Sequence, residues 1–349
     1  MRAQALSVLA LSAVLSSGAV AAPPASEEAR LAVKPSEADL TGAFPPALRG
    51  QSIRGEVTLR CTIDAAGKAQ RCDTLKETPY GLGFGEAGAG LMERKGKFKP
   101  RRVNGQTVDG GQVEVSLHIW PQAGSGFGSR AKSKSSSASG PWGTYLYDTP
   151  VWGSAPGFED MAAAWPAGHP GQDAVVVLRC SMLRSGALTR CLPINGAEKA
   201  PTEAAQALSD RFRVRLTPEQ ARFHAGWDVI VSLRLLNPAG LDAAERRVTA
   251  PDWTSYPDEA MLKAVYPALA VTAGVRSGRG VADCLVAADG ALTDCRTSGE
   301  RPDGLGFGEA AVRVAGRMKL SLWSADGRPT AGARVRLPIE FSQPEAAAR

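Results

Sequence analysis

The sequence is poor in the residues that most enzymes use for catalysis. Three histidines, His118, His169 and His224, occur among 349 residues, and aromatic residues make up 6% of the chain. The sequence contains no H-E-x-x-H motif, no G-x-S-x-G motif and no phosphate-binding G-x-x-x-x-G-K-[ST] loop. We therefore interpret the three histidines as ordinary surface residues, and we expect no enzymatic activity, no metal site and no cofactor.

One short stretch does match a nucleotide-binding motif in form. Gly83-Phe-Gly85-Glu-Ala-Gly88 reads G-x-G-x-x-G. A dinucleotide site needs this motif between a parallel strand and a helix, inside a βαβ unit. Here the glycines follow a predicted antiparallel hairpin, so we interpret them as a flexible start of a helix.

Long apolar runs are missing after residue 22, so no later stretch could span a membrane. At the N-terminus Arg2 precedes an apolar run over residues 5–14, and small residues with an A-x-A pattern end at Ala22. This order is typical of a secretory signal peptide. We interpret residues 1–21 as a cleaved signal peptide that directs the protein to the periplasm. An uncleaved anchor stays open, because residues 3–22 carry no charge, and only an anchor would bring the chain to a membrane.

Cysteines are few, but their spacing is regular. Two cysteines with ten residues between them occur three times. Metal sites favour closer C-x2–4-C clusters, whereas six cysteines in an exported chain favour disulfides. Reduced, buried thiols remain the alternative. The threefold spacing predicts the pairs Cys61–Cys72, Cys180–Cys191 and Cys284–Cys295.

The cysteine pairs belong to a longer pattern that occurs three times. A glycine stands six residues after the first cysteine of each pair, at Gly67, Gly186 and Gly290, and it separates two β-prone segments. Glycine supplies the positive φ of a short hairpin loop. Apolar residues at helical spacing follow, and a strictly alternating segment then predicts a last strand.

This order predicts the α+β fold class. We expect three tandem small domains, each an antiparallel three-stranded sheet (hairpin, helix, strand) with a helix on one face and solvent on the other. The predicted domains cover residues 42–121, 146–238 and 252–343. Residues 122–142, rich in serine and glycine, are predicted to be a flexible linker.

The first and third copies resemble the C-terminal domain of TonB, the periplasmic energy transducer. The resemblance rests on an aromatic–proline start, a D-x-x-G hairpin turn, a short helix, Phe98-Lys-Pro100, Asn104-Gly105-Gln and the last alternating strand. It covers about residues 44–119 and 257–341, and the second copy carries it weakly. The resemblance implies an antiparallel sheet with one helix, and binding of an extended peptide or partner chain along an exposed strand edge.

By position in this family, the edge of the first copy consists of Val113, Glu114, Val115, Ser116 and Leu117. The third copy has Pro338 in the matching strand, which removes one hydrogen-bond donor, so we favour the first copy. Fewer than about twenty-five mature residues precede the first copy, too few to cross the periplasm as the spacer of TonB does. A repeat protein built from this domain is therefore favoured over a transducer, and a link to TonB-type transport stays open.

Two functions remain open at the level of sequence. The first is a non-catalytic adaptor that binds a protein or an extended peptide in the cell envelope. The second is an envelope structural protein that holds lipopolysaccharide or peptidoglycan, both anionic polymers, through a basic face. Export and poor aromatic content argue against nucleic acid as the partner. The basic face would come from the run Arg94, Lys95, Lys97, Lys99, Arg101 and Arg102, which is otherwise an ordinary solvated surface.

Overall fold

The repeated sequence pattern folds into the same small sheet three times. The computed structural model describes residues 26–51, 53–121, 145–169, 171–238 and 246–343. The predicted signal peptide and the predicted linker lie outside the described residues. We refer to the repeats as unit 1 (26–121), unit 2 (145–238) and unit 3 (246–343).

The helices and strands follow each other in a similar order in the three units. Unit 1 contains β1 (Ser26–Glu27), β2 (Arg30–Val33), α1 (Glu37–Gly42), β3 (Gly55–Ile63), β4 (Ala69–Thr78), α2 (Phe84–Lys95), β5 (Lys97–Lys99), β6 (Arg101–Val103), β7 (Gln106–Val108) and β8 (Gly111–Ile119). Unit 2 contains β9 (Trp152–Ser154), α3 (Phe158–Ala163), β10 (Ala174–Met182), β11 (Leu188–Pro193), α4 (Lys199–Ser209), β12 (Arg213–Val214), α5 (Pro218–Phe223) and β13 (Asp228–Leu235). Unit 3 contains β14 (Trp253–Ser255), α6 (Glu259–Ala264), α7 (Ala268–Thr272), β15 (Ser277–Val286), β16 (Leu292–Arg301), α8 (Phe307–Ala315), β17 (Lys319–Leu320) and β18 (Arg334–Ser342).

The main sheet of each unit has three antiparallel strands. The strand orders are β4–β3–β8, β11–β10–β13 and β16–β15–β18. The predicted α+β class, with hairpin, helix and strand in each unit, is confirmed. The first strand of the hairpin is central, so the last strand of every unit lies at an edge of its sheet.

Units 1 and 3 begin earlier than the predicted starts at residues 42 and 252. In unit 1, β2 pairs with β5, and Leu31 and Leu40 pack against the core. In unit 3, Val248 N–H donates to Arg334 C=O at 2.9 Å. These segments were missed because strands of two to four residues are too short to show an alternating pattern.

Each hairpin is closed by the disulfide that the cysteine spacing predicts. The structure contains Cys61–Cys72, Cys180–Cys191 and Cys284–Cys295. Closing a loop of about twelve residues stabilises a domain by about 3 kcal/mol in the chain-entropy account. Such bonds persist in oxidising compartments outside the cytoplasm, which agrees with export.

The glycine of each hairpin loop serves a second purpose besides the turn. Gly67 and Gly290 have φ of +79° and +81°. Their carbonyl oxygens accept hydrogen bonds from Phe98 N–H at 3.0 Å and Leu320 N–H at 2.9 Å. A Cβ at Gly67 would lie 2.4 Å from the carbonyl oxygen of Phe98, and a Cβ at Gly290 would lie 2.2 Å from that of Leu320. Gly186 repeats the arrangement in unit 2. The hairpin tip is thus fastened to the short strand after the helix, at a distance that only glycine permits.

A glutamate on the second hairpin strand caps the helix in units 1 and 3. Glu77 Oε1 accepts from Phe84 N–H at 3.0 Å, and Glu300 Oε2 accepts from Gly308 N–H at 2.7 Å. The unpaired N–H groups of a helix start and the helix dipole both favour a carboxylate there. Burial raises the pKa of Glu77, whereas the bond from Gly308 N–H lowers the pKa of Glu300.

We expect acid to weaken unit 3 through Glu300. Its lowered folded-state pKa gives stability that is present above the unfolded pKa, about 4.3, and is lost as the pH falls through the folded pKa. Glu77 acts in the opposite direction, since the stability from a raised pKa is present below the unfolded pKa and is lost as the pH rises through the folded pKa. In urea unfolding, acidification should lower the free energy of unfolding less for Glu300→Gln than for the wild type. Glu77→Gln should not show this smaller loss of unfolding free energy. Equal acid sensitivity of Glu300→Gln and wild type would contradict this assignment.

The sheet of unit 2 is covered on both faces, contrary to the prediction that one face meets solvent. Val176 on β10 packs into the core of its own unit. Val175 and Val177, which point the other way, pack against the core of unit 1. Ser232 Oγ–H also donates to Tyr80 C=O of unit 1 at 2.6 Å. The uninterrupted apolar run over residues 175–178 was the sequence signal for burial on both faces.

An arginine next to the first cysteine forms an exposed ion pair in unit 1 and a buried one in unit 2. In unit 1, Arg60 and Glu114 lie 2.7 Å apart, with side chains 45% and 58% exposed. In unit 2, Arg179 and Asp228 lie 2.8 Å apart and are 6% and 1% exposed. Ser181 Oγ–H donates to Asp228 Oδ1 at 3.1 Å. A charge that is buried in this way depends on its partner far more than an exposed one.

We expect the two pairs to differ strongly in their contribution to stability. Asp228→Asn removes the negative charge from this buried contact with Arg179 and should cost about 3–5 kcal/mol of unfolding free energy. The matched change Glu114→Gln, at the exposed pair, should cost about 0–1 kcal/mol. Urea titrations at one pH and salt concentration measure both. Similar losses in the two variants would show that the burial of unit 2 is not what makes its pair important.

Candidate functional site

The last strand of each unit turns the backbone groups of every second residue away from its own sheet. In unit 3, Val286 N–H donates to Ala333 C=O at 2.9 Å, so Val335, two residues further on, also faces β15. Arg334 lies between them and donates its N–H to Arg246 C=O at 2.8 Å instead. Outward and inward residues therefore alternate along the strand.

The register carries the same alternation over to unit 1. Val113 lies opposite Cys61, just as Val335 lies opposite Cys284. The outward residues of β8 are Gln112, Glu114, Ser116 and His118.

The structure divides the five predicted edge residues into two groups. Glu114 and Ser116 turn their backbone groups outward and expose their side chains. Val113, Val115 and Leu117 bond to β3 and bury their side chains in the core of unit 1. The sequence prediction missed Gln112 as part of the edge, because the resemblance matched the strand only from residue 113.

The corresponding edge of unit 2 is occupied by unit 3. Trp323 Nε1–H donates to Ser232 C=O at 2.9 Å, and Arg234 N–H donates to Gly327 C=O at 2.7 Å. The Trp323 ring also packs edge-on against Phe212, with centroids 4.8 Å apart. A turn of unit 3 thus takes the place of a strand beside β13.

Upstream segments pair with the first outward residue in units 2 and 3. Asp228 N–H donates to Tyr145 C=O at 2.9 Å, and Tyr147 N–H donates to Asp228 C=O at 2.8 Å. Arg334 exchanges the same two bonds with residues 246 and 248. The chain therefore adds short extended segments to these edges itself, which shows that the edge geometry accepts a partner.

The edge of unit 3 is interrupted further along β18. Pro338 lies three residues after Val335. Its position is equivalent to that of Ser116 in unit 1 and of Ser232 in unit 2. Proline has no N–H, so an outward donor is missing in the middle of this edge.

In unit 1 the edge of β8 is open within the part of the chain that the structure describes. No described group bonds to the outward N–H and C=O groups of β8. The pairing of β8 with β3 runs over nine residues without a register shift. The opposite edge strand, β4, contains extra residues at Gln70 and Leu75, and such bulges blunt an edge. Thus β8 is the more regular of the two edge strands in the main sheet of unit 1.

The other candidate groups do not converge on one place. His118 lies on β8, His169 packs on Trp165 and His224 packs on Trp227, with ring centroids 5.1 and 4.5 Å apart. In the described ranges, no cluster of His, Cys, Asp and Glu side chains could hold a metal ion. Over the same ranges, no helix is long and apolar enough to cross a membrane.

The basic run is divided between the end of α2 and the strands β5 and β6. Lys95 is paired with Asp39, and this contact lowers the pKa of Asp39 to about 2. Arg101 lies 3.8 Å from Glu28. The predicted basic face is therefore not one continuous row of free cations.

Comparison with known proteins finds little that is similar. The chain matches no protein-family profile and no solved structure. A protein of Caulobacter vibrioides, itself described as uncharacterized, is 36% identical over 61 residues. That match covers 18% of this chain and 61% of the relative, so it spans less than two thirds of the relative's length.

We expect amide hydrogen exchange to distinguish the outward from the inward residues of β8. The amides of Val115 and Leu117 bond to β3 and should be protected, whereas those of Glu114 and Ser116 should exchange rapidly. Arg234, whose N–H is bonded to unit 3, serves as the protected outward control. Slow exchange at Glu114 and Ser116 in the free protein would mean that the edge is already occupied.

Proposed function

We propose that this protein is an exported, non-catalytic binding module that takes an extended segment of an envelope protein along the edge of β8. The observation that carries the proposal is the difference among three equivalent edges. The edge of β13 is filled by unit 3, the edge of β18 is interrupted by Pro338, and the edge of β8 has no partner among the described residues.

The geometry of β8 sets the size of the segment. The outward residues run from Gln112 to His118, about 20 Å at the rise of an antiparallel strand, and a segment of about seven residues covers this length. Its backbone would bond to alternating N–H and C=O groups, and each bond contributes about 1 kcal/mol net. Backbone bonding gives affinity with little dependence on sequence.

Selectivity would come from the side chains beside the edge. Glu114 is held by Arg60, and the Ser116 hydroxyl lies 3.4 Å from that of Thr58. His118 follows on the same exposed face. An added segment would place every second side chain over this row of polar groups. The resemblance to the TonB C-terminal domain supports the proposal, because that family binds extended peptides along a strand edge.

We expect Ser116→Pro to weaken peptide binding strongly without unfolding unit 1. The change removes the central outward donor, and it reproduces the residue that unit 3 carries at the equivalent position, Pro338. A heptapeptide selected by phage display on the wild-type exported chain should bind Ser116→Pro about tenfold more weakly or worse, by calorimetry. Thermal unfolding should show that the variant remains folded.

The matched control places the same change on the edge of unit 3. Arg336→Pro removes an outward donor next to Pro338 and should leave peptide affinity unchanged. Equal affinity of wild type and Ser116→Pro would place the site elsewhere. A loss with Arg336→Pro alone would assign the site to β18 and overturn the proposal.

A further inference from the structure

A surface cleft of unit 1, lined by residues outside β8, collects charges of both signs. It lies beside β2, β5 and the β6–β7 hairpin and has a volume of about 820 Å³. Pockets of about 300–1,000 Å³ are the usual size for small-molecule sites. Its charged and polar lining consists of Glu27, Glu28, Arg30, Lys99, Arg102 and Thr107.

Two cations in the cleft are placed where they repel each other. Arg30 lies directly opposite Lys99 in the β2–β5 pairing, and both side chains are exposed. Like charges at directly opposed positions destabilise a strand pair. Neither of them, nor Arg102 on the next strand, forms an ion pair within the part of the chain that the structure describes. An anion seated among the three cations would remove the repulsion.

The carboxylates of the cleft argue against a purely anionic ligand. Glu27 lies opposite Arg102 in the β1–β6 pairing, yet the two side chains form no ion pair. Glu28 reaches only 3.8 Å from Arg101. A polyanion would meet these two carboxylates as well as the cations. A ligand that carries a cation next to its anion would satisfy both groups.

We propose that this cleft binds a phosphoethanolamine group. Arg30, Lys99 and Arg102 hold the phosphate, for which the guanidinium fork of arginine provides two parallel hydrogen bonds. The primary ammonium of the ligand donates hydrogen bonds to Glu27 and Glu28. The same group occurs on phospholipids and as a soluble headgroup, and the site reads the group itself. The proposal rests on residues outside β8, and its test does not depend on the outcome for the peptide site.

The first experiment titrates the exported chain with soluble glycerophosphoethanolamine and follows backbone amide NMR shifts. We expect shifts confined to residues 27–33 and 97–108. Lys99→Gln and Glu27→Gln should each weaken binding by about tenfold, the effect of losing one charge-assisted hydrogen bond. Lys76→Gln, which removes an exposed cation from β4, is the matched control and should have no effect. An equal loss of affinity with Lys76→Gln would show that binding depends only on the net charge of the protein, and it would overturn the proposed site.

Two further ligands test the ammonium half of the proposal. Glycerophosphate lacks the ammonium, and glycerophosphocholine carries one that cannot donate a hydrogen bond. Both should bind about tenfold more weakly than glycerophosphoethanolamine. Equal affinity for glycerophosphate would show simple anion binding and overturn the proposal.

Vesicles distinguish a membrane-borne ligand from a soluble one. Phosphatidylcholine vesicles that contain phosphatidylethanolamine should retain the chain, and vesicles with phosphatidylglycerol should retain it less. Retention that depends on Lys99 and Glu27 would assign the lipid headgroup as the source. Binding of the soluble headgroup without vesicle retention would assign a soluble phosphoethanolamine compound. Stronger retention by phosphatidylglycerol would overturn the proposal.

Discussion

An edge strand carries N–H and C=O groups that its own sheet cannot pair, and each unit of this protein deals with them differently. In unit 2 the indole of Trp323 and the carbonyl of Gly327 bond to the edge. In unit 3 a proline removes the central donor. In unit 1 no described group bonds to the edge. The arrangement of the units and the choice of a candidate site both follow from this single requirement.

The position of unit 2 between its neighbours explains why its sequence departs most from the common pattern. Its sheet contacts unit 1 through Val175 and Val177, and its edge contacts unit 3. An isolated unit needs polar residues on the free face of its sheet, whereas unit 2 needs apolar residues and a neutralised charge pair there. Arg179 and Asp228 supply that pair. The weaker match of this unit to the sequence pattern of the other two is thus a consequence of burial rather than of a different fold.

The features that could be predicted are those that recur locally in the sequence. The cysteine spacing, the loop glycines and the alternating last strands each repeat three times, and they were sufficient to predict the α+β sheets and the disulfides. The helix cap by Glu77 and Glu300 also repeats, five residues after the second cysteine, but a single glutamate on a predicted strand has no distinctive pattern.

Contacts between units were beyond prediction for a different reason. Trp323 and Gly327 act on Ser232 and Arg234, about ninety residues earlier in the chain, and nothing in either segment identifies the other. The short strands β2 and β14 likewise acquire their structure only by pairing with β5 and β17. For the candidate edge, the alternation predicted the strand, the resemblance suggested its role, and the register then decided which of its residues face outward.

The occupied edge of unit 2 has a consequence for valency. A protein with three similar binding domains is expected to gain avidity by engaging several copies of a ligand at once. Here unit 3 fills the edge of unit 2, and Pro338 interrupts the edge of unit 3 itself. Under the function proposed above, the three units offer one uninterrupted edge among the described residues, and the chain would take one peptide segment with its other two units as scaffold.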